Sequence, residues 1–181
     1  MTSVLDRPAP PPDLTLPYGP RPEHVVDLRL PPAVPGRAAP LIVLIHGGFW
    51  RPAYDRTHLG PMGQALAAAG YMVAVPEYRR AGMAEEGWTG TFGDIALAAD
   101  QVTGIAGAHG ADTSAVTWAG HSAGGHLALW AAARPRFHSA HSRSEAQAAR
   151  ATTWAAGHGP RHDDPVPERG RPGRAAAHSA R

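Results

Sequence analysis

Apolar positions recur along this chain in two patterns, short unbroken runs and stripes at three- and four-residue steps, and both stop near residue 133. Leu41-Ile42-Val43-Leu44-Ile45 is apolar at every position, which fits a central strand buried on both faces. Tyr71 to Val75, closed by Pro76, and Ala115 to Ala119 read as further short strands. His24 to Leu30 alternates as a strand near a sheet edge does. Arg56 to Gly70 sets Leu59, Met62, Ala65, Leu66 and Ala69 along one helical face, with Gly70 as the C-cap. Gly82 to Gly90 reads as a loop. Phe92 to His109 forms a second helix with Ile95, Ala98, Ala99, Val102 and Ile105 on one side, and Ala123 to Ala133 a third. Strands alternating with helices predict a mostly parallel sheet with helices on both faces, an α/β fold.

The flanks differ from this middle. Residues 8–22 hold seven Pro, so 1–23 is expected to be an extended, poorly ordered lead-in. Residues 24–133 form the expected domain. From residue 134 to 181 there is no Leu, Ile or Met; 11 Ala, 9 Arg and 5 His surround Phe137, Trp154 and Val166. Such a segment buries too little apolar surface to offset the entropy of ordering it, so disorder, or a loose helix over Ser144–Ala156, is expected with no further strand. Charge divides at the same place. Residues 1–133 carry 8 Arg against 11 acids, net −3, and residues 134–181 carry 9 Arg against 4, net +5. The chain-wide +2 is therefore a property of the tail. With no Cys, thiol chemistry is excluded. Neither a signal peptide nor a membrane-length apolar run is visible, so a soluble cytoplasmic protein with no membrane partner is the expectation.

Candidate chemistry lies at two strand ends. Gly120-His121-Ser122-Ala123-Gly124-Gly125-His126 fits G-x-S-x-G, between a predicted strand and a predicted helix. The turn exposes the serine oxygen and needs small neighbours, which Gly120, Gly124 and Gly125 supply. The helix from Ala123 directs free N–H groups toward the site. The Leu41–Ile45 strand ends in His46-Gly47-Gly48-Phe49-Trp50, where backbone donors for an oxyanion are expected. Ser122 is the candidate nucleophile. The N–H of Ala123, with N–H groups of Gly47, Gly48 and Phe49, is the candidate oxyanion hole.

These stretches, with Glu77-Tyr78-Arg79-Arg80, Gly87-Trp88, Thr91 and Asp94, resemble kynurenine formamidase-type α/β-hydrolases of the esterase–lipase branch over residues 24–133. The resemblance implies serine hydrolysis of a small ester or amide, including N-formyl aryl amines, without a metal or organic cofactor. It also implies an Asp and then a His on loops after later strands. Asp163, Asp164 and His178 follow in that order but without flanking strands, and are not expected to serve. His121 and His126 sit too close to the serine on the turn to act as its base and read as packing residues, while His46 reads as a loop stabiliser. Trp50 and Trp88, on loops, are candidates for the substrate pocket; Trp118 and Trp130 are expected in the core.

His138-x2-His141 and His158-x3-His162 have metal-like spacing, but in a His-rich coreless tail composition is the better reading. The Arg-rich tail lacks interleaved aromatics, so no specific nucleic-acid partner is expected. The oligomeric state stays open. Two classes of function remain: a serine hydrolase, or a catalytically inactive, truncated fragment of one whose tail is read out of frame.

Overall fold

The computed structural model of the chain describes residues 8–83, 87–138 and 150–151. In chain order these are β1 (Leu14–Pro17), β2 (Val25–Arg29), β3 (Ala39–Ile45), a 3-10 turn (Arg56–Leu59) running into α1 (Gly60–Ala68), β4 (Met72–Pro76), α2 (Gly87–Ala108), β5 (Ala111–Gly120), α3 (Ala123–His138) and β6 (Arg150–Ala151). They build one mixed sheet in the order β1-β2-β4-β3-β5-β6. The apolar run of β3 sits centrally, parallel to β4 on one side and β5 on the other. β1 and β2 add antiparallel at one edge.

Alternation along β3 explains why every residue of its run is apolar. Leu41, Val43 and Ile45 face a core closed by Ile95, Ala98 and Val102 of α2 and by Leu127, Ala128 and Ala131 of α3. Ile42 and Leu44 face the opposite way, with Val73 and Val75, onto Leu59 and Ala67 at α1. Both faces are thus dry, the usual state of parallel strands. Beyond α1 the second face opens into an apolar cavity of about 340 Å³, bounded by Ile42, Leu44, Met62 and Leu66 and ending at Gly120 and His121.

Several expectations needed correction. The Pro-rich lead-in contains a strand: Leu14 and Leu16 pack on the core, Thr15 donates to Asp27 at 2.6 Å, and Pro17 stands at an edge where no ladder donor is needed. In α1, Ala65 and Ala69 are exposed, and Gly63 and Ala67 face the sheet instead. The four residues before the helix form a 3-10 turn, whose tighter period shifts the stripe extrapolated from Leu59. Gly63 also leaves room for the stem of Arg29, whose Cδ would stand 3.1 Å from an added Cβ. α2 begins at Gly87, five residues before the expected Phe92. β5 begins at Ala111, and its pairing with β3 shifts between Pro40 and Leu41 because Pro40 has no N–H to give. Gly70, by contrast, closes α1 as expected, at φ +97°.

A further strand does follow α3. Arg150 and Ala151 lie parallel beside Thr117 and Trp118 of β5. An open strand edge recruits chain through backbone N–H and C=O groups, which composition does not reveal. The expectations for residues 139–149 and 152–181 lie outside the described residues.

α2 carries glycines that its fold does not use. At Gly104 an added methyl meets nothing within 4 Å and φ is ordinary. Gly104→Ala is therefore expected to raise stability by about 1 kcal/mol, read as a higher urea midpoint with an unchanged m-value.

Candidate active site

Because β3, β4 and β5 run parallel, their C-terminal ends share one sheet edge, where ligands of open α/β sheets bind. Three chain exits meet there: His46 to Trp50 after β3, Glu77 to Arg80 after β4, and His121-Ser122 after β5.

The β5 exit is a tight strand-to-helix turn. Ser122 has φ 54° and an exposed side chain. Its carbonyl already accepts from Gly125 N–H at 2.9 Å, so the chain enters α3 immediately. The small residues are steric requirements. A Cβ on Gly120 would fall on the Gly124–Gly125 backbone, and one on Gly124 on the carbonyls of Ile45 and His46, all closer than 3.0 Å. Gly47 is equally confined, against the carbonyl of His121, with Ser122 Cβ at 3.2 Å from the added atom. The His121 N–H donates to the Ile45 carbonyl at 3.2 Å. The two motifs, 74 residues apart counted from His46 to Gly120, are thus in backbone contact. Ala123, the first residue of α3, has an N–H with no intrahelical acceptor.

In the β3 exit, Gly48, Phe49 and Trp50 have φ 113°, 54° and 55°. Among the described residues, Phe49, Trp50 and Ser122 are the non-glycine residues with positive φ, and all three belong to this site. Each such conformation costs on the order of 1–3 kcal/mol and persists only where the surroundings impose it.

The surroundings are a buried charged cluster. His46 has no exposure; its Nδ1 bonds to the Gly47 carbonyl and its Nε2 to Glu77 Oε1, both at 2.9 Å. Both ring nitrogens thus face oxygens. Tyr78 stacks on that ring at 4.3 Å, and its hydroxyl donates to the His46 carbonyl at 2.7 Å. Glu77 Oε1 also accepts from Tyr78 N–H, and Oε2 from Arg56 N–H, each at 3.0 Å. A second cluster ties α2 to β4. Asp94 accepts from Arg79 Nε at 2.9 Å and Nη2 at 2.7 Å, and from His24 Nε2–H at 2.9 Å, while His24 Nδ1 accepts from Arg21 N–H.

Burial by itself would raise the Glu77 carboxyl; the bond and charge of His46, with the N–H groups of Tyr78 and Arg56, outweigh it and hold the group below the usual carboxylate range. At Asp94 burial is likewise outweighed, by Arg79 and His24. Burial, reinforced by Glu77, pushes the Tyr78 hydroxyl far up, so it remains a donor. A carboxylate depressed on folding contributes stability above its unfolded pKa that is lost as pH falls through its folded value. Unfolding free energy is accordingly expected to fall steadily as pH drops below about 4.5, the region where unfolded carboxylates begin to protonate. Glu77→Gln should flatten part of that acid limb in urea titrations collected from pH 7 downward.

An aromatic cluster gathers around His126 in the first turns of α3. Trp50 and Trp88 lie 4.9 Å apart, and Trp88, 54% exposed, stacks on Phe92 at 6.0 Å. Phe92 meets Trp130 at 4.9 Å and the exposed His126 at 5.9 Å, one helical turn after Ser122. Trp118 is buried and Trp130 packs half-buried on the core. Phe49, although its backbone is in the strained loop, presents a 71% exposed ring. Sequence reasoning missed Glu77 as the partner of His46, and it missed Phe92. It also missed His58, a half-buried ring 6.3 Å from His121 whose pKa is lowered by burial. Only the unusual density of charge directly after an apolar strand, at 77–80, signalled the first. Asp163, Asp164 and His178, and the spaced histidines except His138, lie outside the described residues.

A parallel-centred sheet with a serine turn at its carboxyl edge defines an α/β-hydrolase of the esterase–lipase class. The chain belongs to the BD-FAE family, whose sequence model matches residues 26–153. It is 30% identical over 119 residues to Esterase LipQ of Mycobacterium tuberculosis (strain ATCC 25618 / H37Rv), covering 65% of this chain and 28% of that one. Its fold overlays an inhibited esterase B from Lactobacillus rhamnosis with TM-score 0.61 and 27% identity, covering 70% of this chain and 42% of the other. The apo form of Thermogutta terrifontis esterase 2 shares the fold with TM-score 0.56 at 23% identity, over 64% of this chain and 44% of that one. The chain thus spans less than half the length of these relatives. Among the described residues no helix is long and apolar enough to cross a membrane.

Proposed function

We propose that this chain carries the nucleophile half of a serine hydrolase acting on a small carboxylic ester or an aryl formamide or amide, in the manner of kynurenine formamidase-type enzymes. Ser122 Oγ attacks the carbonyl carbon. The oxygen that becomes negative is held by the N–H of Ala123 and by N–H groups of the Gly47–Phe49 segment, at the positive end of the α3 dipole. Trp50 and Trp88 supply a wall for the acyl or aryl group, an apolar surface with few polar demands. The observation that carries this reading is the convergence of Phe49, Trp50 and Ser122, strained at φ 54–55°, on one sheet edge.

A second reading is supported by the residues after the turn. Positions 123–138 and 150–151 contain no Asp or Glu, so no acid of a triad stands among the described residues beyond Ser122. In that reading the serine turn stands without a triad acid and the chain is a non-catalytic fragment of a hydrolase. A fluorophosphonate probe and the substrates p-nitrophenyl acetate and an N-formyl aryl amine separate the two. Probe labelling mapped to Ser122 with turnover of either substrate supports the hydrolase, and the preferred substrate assigns the acyl class. Labelling or binding with no turnover above buffer supports the fragment. No labelling at Ser122 removes the nucleophile assignment itself.

A further inference from the structure

We propose that Glu77 is a positioning residue that aims the backbone donor of Gly48 by way of His46; the proposal rests on the hydrolase reading above. The link can be followed atom by atom. Glu77 Oε1 holds His46 Nε2 at 2.9 Å, and the opposite nitrogen of the same rigid ring holds the Gly47 carbonyl at 2.9 Å. The Gly47–Gly48 peptide is planar and trans, so its C=O and N–H point in opposite directions. Pinning the Gly47 carbonyl on the buried His46 ring therefore turns the Gly48 N–H away from that ring. Gly48, at φ 113°, tolerates that peptide orientation, and on its far side its own carbonyl accepts from Arg51 N–H at 2.9 Å.

Glu77 is itself fixed from two sides. It directly follows β4, accepts from the Arg56 N–H at the start of the 3-10 turn at 3.0 Å, and pairs with Arg80 Nη2 of its own exit at 3.4 Å. Arg56 in turn bonds Asp27 of β2 through Nε at 2.8 Å. The carboxylate is 4% exposed, so its geometry is not softened by water. A group held this firmly, and bonded to the ring that orients the loop, transmits the position of the sheet to the candidate oxyanion hole.

The test uses the full chain with Glu77→Gln, His46→Gln and the double variant. Active-site titration with the fluorophosphonate corrects for any misfolded fraction. The expected result is kcat per titrated site down about 10- to 100-fold in each single variant, with KM for p-nitrophenyl acetate within about twofold, because oxyanion donors act mainly on the transition state. The double variant should be no worse than His46→Gln alone. Unchanged kcat per titrated site, or effects that multiply in the double variant, would overturn the proposal. His46→Gln breaks the same link while leaving Glu77 with Arg56 and Arg80, so it decides the matter if Glu77→Gln does not fold. If the wild-type serine is unreactive, the hydrolase reading fails separately. Amide exchange at Gly48 then decides the positioning role: faster exchange in both variants with β3 amides unchanged supports it, and equal exchange rejects it.

Discussion

Replacing Ser122 by glycine is expected to abolish covalent labelling while leaving a more stable protein than replacement by alanine. Both substitutions remove the side-chain hydroxyl at the tip of the turn, so loss of labelling and of turnover, by about 10³-fold or more where turnover exists, is common to them. They differ in the backbone. At φ 54° an alanine keeps the steric cost of the left-handed region, whereas glycine occupies it freely. The side chain is exposed and makes no packing contribution to offset the difference. Ser122→Gly should therefore exceed Ser122→Ala in unfolding free energy by about 1 kcal/mol, measured by urea denaturation of the two purified variants. Equal stability would mean that the turn carries no strain, and the observation on which the proposed function rests would lose its meaning.

Gly124→Ala is expected to be, with Gly120→Ala, among the most damaging single methyls at the described glycines. The added carbon would stand closer than 3.0 Å to the carbonyl oxygens of Ile45 and His46, backbone atoms of the last residue of the central strand and the first of its exit. Relief requires α3 to move off β3, uncovering Leu127 and Ala128, which are fully buried at that interface. The cost expected is about 3 kcal/mol or more, with loss of Ser122 labelling in whatever folded protein remains. Set beside Gly104→Ala, the same chemical change in a helix, it has the opposite sign. The space around the glycine decides between them, and circular dichroism melts of the two variants side by side would show it.

The contrast bears on how much of this protein could be read in one dimension. β3 was legible because a run of five apolar residues has few other places to go in a domain of this size, and its alternate residues do divide between two cores. The serine turn was legible because its demands are local: residues two to four apart in sequence exclude one another's side chains. The stripe of α1 was misread because a 3-10 turn precedes it, and a periodicity argument assumes one period throughout. β1 and β6 were missed for a related reason. Edge strands are recruited by backbone groups, so proline-rich or coreless composition does not forbid them.

By itself, then, the sequence determined the α/β alternation, the position of the serine turn and its requirement for glycine, since each follows from contacts between near neighbours in the chain. What only the tertiary structure decided is which charges are buried and what they hold. His46 meets Glu77 across 31 residues, because parallel β3 and β4 bring their ends to one edge only after α1 has crossed. His24 meets Asp94 across 70, because antiparallel β2 starts where α2 packs on the sheet. No local pattern encodes those pairs. The desolvation cost of a buried charge is met by partners the chain supplies from elsewhere, and the order of the strands in the sheet selects them.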